Sequence, residues 1–251
     1  MRIRSAAFIA RIACAVRCSE FPVPIPEPVP RTANAVRAFP LVGLLVGGIA
    51  GIVLCATLAL GLPAPVAALL ALAAQIVTTG ALHEDGLADV ADGFWGGQTR
   101  ERRLEIMRDS RIGSYGTLAL ILSVGLRWQA ISLLAVYDAA TAFLALIVVA
   151  VTSRAVPAAL LAVLPAARAD GLGKVASGVE VGPVAAAIAI ACGTALVTPW
   201  ALVVLAVQAI GAALFAGFAG LRIGGQTGDV LGASEQIGEC LGLVVLVTAM
   251  A

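Results

Sequence analysis

Charge is what this chain has least of. Asp, Glu, Lys and Arg together make up 12% of its 251 residues, histidine occurs once, and aromatic side chains account for 5%. A soluble domain needs about a quarter of its residues charged to cover its surface, so a water-exposed globular fold is excluded. The lone His83 and five scattered cysteines, Cys14, Cys18, Cys55, Cys192 and Cys240, give no second ligand pair for a zinc site and no disulfide framework. They read as small buried hydrophobes. With a net charge of +1, nothing predicts a nucleic-acid partner.

What is present is apolar: 61% of the residues are hydrophobic and the mean hydropathy is +1.02. The composition predicts an all-α, polytopic integral membrane helical bundle. Residues 38–82 carry no charge and are long enough for two crossings, with a turn at Gly61-Leu62-Pro63. Residues 113–167 give two more spans meeting at Tyr137-Asp138. The uncharged run 181–221 gives another two, broken at Thr198-Pro199-Trp200, and residues 237–251 a short last one. The expectation is about seven transmembrane helices in one membrane-embedded domain spanning 1–251.

Before the first span, residues 1–37 combine a basic, amphipathic start with the alternating prolines Pro22, Pro24, Pro26, Pro28 and Pro30. Arg11 and Arg17 interrupt what would be the apolar core of a signal peptide. The reading is an interfacial helix lying on membrane lipid, followed by an extended proline strap. If residues 1–37, 83–112, 166–181 and 222–236 share one side, 14 of the 16 Lys and Arg lie there, and the positive-inside rule makes that side the cytoplasm. Those three loops are expected to form the site. The glycines of the first span, Gly43, Gly47, Gly48 and Gly51, and those at 211, 217 and 220 predict close helix packing. The two exceptions to the charge bias are Arg127 and Arg154. Arg127 is placed to snorkel toward the far interface near Asp138. Arg154 returns toward the cytoplasmic side, where it suits an anionic substrate, and Pro157 ends or kinks its helix.

The chemistry is concentrated in His83-Glu84-Asp85-Gly86-Leu87-Ala88-Asp89-Val90-Ala91-Asp92. On a helix Asp85, Asp89 and Asp92 share one face, where their repulsion calls for a cation. Hard carboxylate oxygens suit Mg²⁺ or Mn²⁺ better than zinc. Arg108 and Arg111, bracketing Asp109-Ser110, have the planar fork that suits phosphate oxygens. Arg100, Arg102 and Arg103 are explained by topology and by local pairing with Glu101 and Glu105. In the last loop Gly224, Gly225 and Gly228 would let backbone amides approach a phosphate, and Asp229 qualifies as a further metal ligand or a base. Lys174, between glycines, is a further phosphate contact. Carboxylates, a divalent cation and arginines together suit the cleavage of a pyrophosphate.

The blocks His83 to Gly97, Arg103 to Gly116 and Gly224 to Ala233, with Phe39-Pro40-Leu41-Val42-Gly43 at the start of the first span, resemble the cobalamin-5'-phosphate synthase family of adenosylcobinamide-GDP ribazoletransferases. The resemblance covers nearly the whole chain. It implies a Mg²⁺-dependent multi-pass enzyme of the bacterial cytoplasmic membrane with its site facing the cytoplasm. Its substrates would be adenosylcobinamide-GDP and α-ribazole or α-ribazole 5'-phosphate, and GMP would be released. It further implies metal binding by Glu84, Asp85, Asp89 and Asp92, catalytic roles for Asp85 and for Asp229 or Glu84 as base, and phosphate binding by Arg108, Asp109 and Arg111, with Lys174 and Arg154 beside them. Oligomeric state stays open. Two rival classes share parts of the pattern: a CDP-alcohol phosphotransferase-like enzyme, whose later aspartates are missing here, and a divalent-cation transporter.

Overall fold

The computed structural model describes residues 35–169 and 179–250, so the amphipathic start, the proline strap and Lys174 lie outside the described residues. A 3-10 turn, Val36–Ala38, leads into α1 (Phe39–Ala59). The predicted turn follows: Gly61, at φ +84°, reverses the chain, and Pro63 opens α2 (Ala64–Thr79). Gly80 and Ala81 then both take left-handed backbone conformations, and the axis swings through 86° into α3 (Leu82–Gly96). The acidic segment is helical, as the spacing predicts, but it turns away from the direction of the preceding span.

Thr99 caps the short α4 (Arg100–Ile106) by accepting a hydrogen bond from the Arg102 amide. Then α5 (Ser114–Tyr137) crosses the bundle, and Asp138 caps α6 (Ala139–Ser153) by accepting from the Thr141 amide and hydroxyl at 2.7 Å each. A break at Arg154 separates α6 from α7 (Ala155–Val163). Pro157 explains it, because it has no N–H to donate to the Ser153 carbonyl. The short apolar α8 (Val181–Gly193) precedes α9 (Trp200–Ile223), which starts at the predicted Pro199 break, and α10 (Gly228–Met250) closes the chain.

Among the described residues five helical stretches are long and apolar enough to span a bilayer, or six if the bent α2–α3 pair counts as one span. The expected seven fall short because α8 is only 13 residues long. The last span differs the other way. It begins at Gly228 rather than near 237, so Asp229, Glu235 and Glu239 are helical residues and not a loop.

Aliphatic side chains of α1, α2, α5, α6 and α10, mostly alanine and leucine, form the main core, among them Leu54, Ala68, Leu72, Ile131, Leu146 and Leu246. Gly43 and Gly47 sit directly on the α6 backbone at Leu146 to Val151, where a Cβ would collide. Gly48, Gly217 and Gly220 face open space, so the packing expected of every span glycine holds only for part of them. Large apolar side chains project outward, including Ile121 and Leu122 on α5 and Ile210, Leu214 and Leu221 on α9. In water such belts would drive aggregation; against lipid they are an ordinary helix surface.

Candidate functional site at the α3 and α10 junction

Two groups of charged side chains flank α3, and they differ in exposure. In the more open group Asp85 is exposed and Asp89 half-buried. Asp229, in the first turn of α10, stands against them. Asp85 and Asp229 both act electrostatically on the Asp89 carboxylate, with Arg168 the opposing cation. Arg168 lies 3.4 Å from Asp229, and the Thr227 hydroxyl donates to the same carboxylate at 3.1 Å. The helices meet closely here: a Cβ on Gly86 would lie 2.8 Å from the Asp229 carbonyl oxygen. The segment carrying Arg168 is tied to the start of α10 by backbone bonds from Ala167 to Gln226 and from Gln226 to Pro165, each 2.8 Å.

Asp92, expected on the metal-binding face, is buried and committed elsewhere. Its carboxylate accepts from the Gly113 amide at 2.7 Å and the Gly116 amide at 2.9 Å, which fastens the N-terminus of α5 to α3. Glu84 also points away from the open group. It lies 3.0 Å from the Arg127 guanidinium, 1% exposed in the bundle. Arg127 therefore does not snorkel toward Asp138, because its other nitrogen holds Glu239, also at 3.0 Å. Arg154, expected to meet an anionic substrate, is instead buried against Glu235 at 3.0 Å and Glu239 at 3.4 Å. His83 Nδ1 lies 3.3 Å from Glu235, Ser153 donates to Glu235, and Gln75 donates to Glu239. Two arginines thus pair with three glutamates inside the bundle, where an unpaired charge would be costly.

The arginines after α3 divide by task. Arg100 donates to the Ile223 and Ala167 carbonyls at 2.8 and 2.7 Å, and Arg103 to the Arg222 carbonyl at 3.0 Å. Both thereby satisfy carbonyls at the C-terminus of α9, and Arg100 ties that end to the segment at Ala167. Arg111 forks onto Asp109 at the surface, an interaction that holds the Asp109 carboxyl below the usual carboxylate range and pushes the Arg111 guanidinium up. Arg108 lines a cleft of about 490 Å³ with Leu104, Glu101, Glu105 and Arg168. The loop glycines do a different job from the expected one. Gly224, at φ +77°, ends α9, and a Cβ on Gly225 would collide with the Pro165 carbonyl, so both accommodate protein.

Among the described residues no three His, Cys, Asp or Glu side chains converge as a metal site. The open trio Asp85, Asp89 and Asp229 nonetheless offers hard oxygen donors, three carboxyl groups beside the single Arg168. That donor set fits a small divalent cation and no softer metal. Sequence reasoning missed Arg168 and Glu235. Glu235 had a signal: it lies one helical turn from Glu239, and arginines buried in two spans require acidic partners.

An all-helical, multi-pass membrane protein that gathers carboxylates and arginines at one end of its bundle belongs to the class of membrane-embedded enzymes. Comparison with known proteins defines it further. Residues 11–247 match the family described as cobalamin-5-phosphate synthase. The chain is similar to proteins named adenosylcobinamide-GDP ribazoletransferase from three bacteria. Identity is 49% with that of Bradyrhizobium diazoefficiens, covering 87% of this chain and 84% of the relative. It is 44% with that of Mesorhizobium japonicum, covering 87% and 84%, and 44% with that of Azorhizobium caulinodans, covering 94% and 95%. No solved structure matches. The chain belongs to the cobalamin-5-phosphate synthase family and is a transferase of cobalamin biosynthesis.

Proposed function

We propose that the chain transfers the phosphate-linked corrinoid of adenosylcobinamide-GDP to α-ribazole or its 5'-phosphate and releases GMP, in a Mg²⁺-dependent reaction. The site would face the cytoplasm at a bacterial inner membrane. The observation that carries this reading is the open carboxylate trio Asp85, Asp89 and Asp229 beside Arg168 and its cleft. The relatives' shared name supplies the substrates.

In this reading Asp85 and Asp89 would hold Mg²⁺, with Asp229 close by. The bound cation would offset charge developing on the pyrophosphate. Arg168 and Arg108 clamp phosphate oxygens from the cleft wall. Asp229 takes the proton of the attacking ribazole hydroxyl as its oxygen bonds to the corrinoid-linked phosphorus and the bond to GMP breaks. Glu84 is the weaker candidate for that base, because Arg127 already occupies its carboxylate. Arg111, forked onto Asp109, would have to release that carboxylate to meet a phosphate.

The test uses purified protein in liposomes with adenosylcobinamide-GDP, α-ribazole 5'-phosphate and Mg²⁺, following GMP and the corrinoid product. GMP should form only with both substrates and Mg²⁺, and Asp85→Asn and Asp89→Asn should each abolish it. Well-folded protein that makes no product, but turns over a CDP-activated alcohol or carries Mn²⁺ across the liposome, overturns the proposal.

A further inference from the structure

We infer that Arg127 is a positioning residue: one guanidinium, by holding Glu84 of α3 and Glu239 of α10 together, sets the register in which Asp85 and Asp89 face Asp229. The inference rests on the proposed reading of that acidic group as the reaction centre.

Arg127 belongs to α5, which contributes none of the three open carboxylates, and it is 1% exposed. Its two terminal nitrogens bind different helices, one Glu84 and the other Glu239, each at 3.0 Å. Glu84 is the immediate neighbour of Asp85, so a rotation of α3 that moves one carboxylate moves the other. Between α3 and α10 little else can absorb a shift. Gly86 lies against the Asp229 backbone, and a Cβ on Gly232 would be 3.3 Å from the Leu82 carbonyl oxygen and the His83 Cα. Backbone meets backbone there, and sliding one helix displaces its carboxylates by the same amount.

The two ends of the bridge are not equally supported. Glu239 also has Arg154 and Gln75, whereas the second oxygen of Glu84 is buried and has no hydrogen-bond partner among the described residues. Without Arg127, the Glu84 charge is left in a medium of low dielectric, and it relaxes by turning toward water. The change therefore falls on α3, the helix that carries Asp85 and Asp89.

The experiment compares Arg127→Met combined with Glu84→Gln, which leaves no stranded charge, with Arg127→Lys, which keeps the charge but not the fork. Each is made in liposome-reconstituted protein with the native cysteines replaced. Spin labels at Gly96→Cys on α3 and Val244→Cys on α10 report the distance between the helices without any turnover. Both variants should keep the wild-type melting temperature within a few degrees while the distance shifts or broadens by several ångströms. The turnover rate for GMP release should fall at least tenfold, with a smaller change in the ribazole KM and a higher Mg²⁺ concentration for half-activity. A folded double variant with the wild-type label distance and turnover overturns the inference. If wild-type protein releases no GMP, the acidic group is not the reaction centre; the label distance still decides whether Arg127 sets the helix register.

Discussion

Replacing Asp92 by alanine separates a structural carboxylate from a metal ligand, because the two roles fail differently. In the structure this side chain accepts two backbone hydrogen bonds at the start of α5, at 2.7 and 2.9 Å. A hydrogen bond to a charged group contributes about 1.5–3 kcal/mol, and a carboxylate at a helix N-terminus adds about 0.3–1 kcal/mol. The Gly116 amide is buried and would stay unsatisfied after the substitution, whereas the Gly113 amide is reached by water and recovers part of its loss. Weighing one full bond and part of another, Asp92→Ala should cost about 3 kcal/mol. At about 2–4 °C per kcal/mol for a chain of this length, the apparent melting temperature in detergent should fall by about 6–12 °C. Raising Mg²⁺ should restore neither stability nor activity. Gly113→Ala is an independent check, since its new Cβ would lie 2.9 Å from the Asp92 carboxyl carbon and push the carboxylate off both amides. It should reproduce the loss. If Asp92→Ala melts like the wild type and regains turnover at raised Mg²⁺, the carboxylate serves a cation and the anchoring argument is refuted.

The glycines of α1 give a matched pair: Gly43→Ala should lower the melting temperature by several degrees, because α1 must move away from the Ala150 carbonyl. Gly48→Ala, with nothing near its Cβ, should be neutral or stabilising by up to about 1 kcal/mol; equal effects would dismiss the packing argument. Asp109→Asn should leave GMP release within about twofold of wild type, since its carboxylate is turned to Arg111 at the surface, and a loss like that of Asp85→Asn would place it in the site. The Thr141 contacts hold the Asp138 carboxyl below the usual carboxylate range. Its cap on α6 should therefore be fully present above the ordinary carboxylate pKa and disappear only as pH falls through the lower folded value. Asp138→Ala should remove that part of the acid sensitivity, measured as melting temperature against pH.

Composition and periodicity determine much of this protein. A chain so poor in charge can place its apolar surface only in lipid or inside a helix bundle, so the helical membrane class and most span limits follow from the uncharged runs. Turns at Gly61, Asp138 and Pro199 were readable because backbone chemistry at those residues is local. The helical spacing of Asp85 and Asp89 was readable for the same reason, and so was the family resemblance of the motif blocks. What the sequence cannot rank is which neighbour each charge will choose across the bundle. Asp85, Asp89 and Asp92 look equivalent along α3, yet contact with the start of α5 makes Asp92 an anchor and leaves the other two open. Glu84 and Asp85 are adjacent, yet about 100° of helical rotation sends one to Arg127 and the other outward. Arg127 and Arg154 read as lone charges in apolar spans until α10, far along the chain, brings Glu235 and Glu239 to them. Ion pairing inside a bundle depends on distances between helices distant in sequence, and only the tertiary structure fixes those distances.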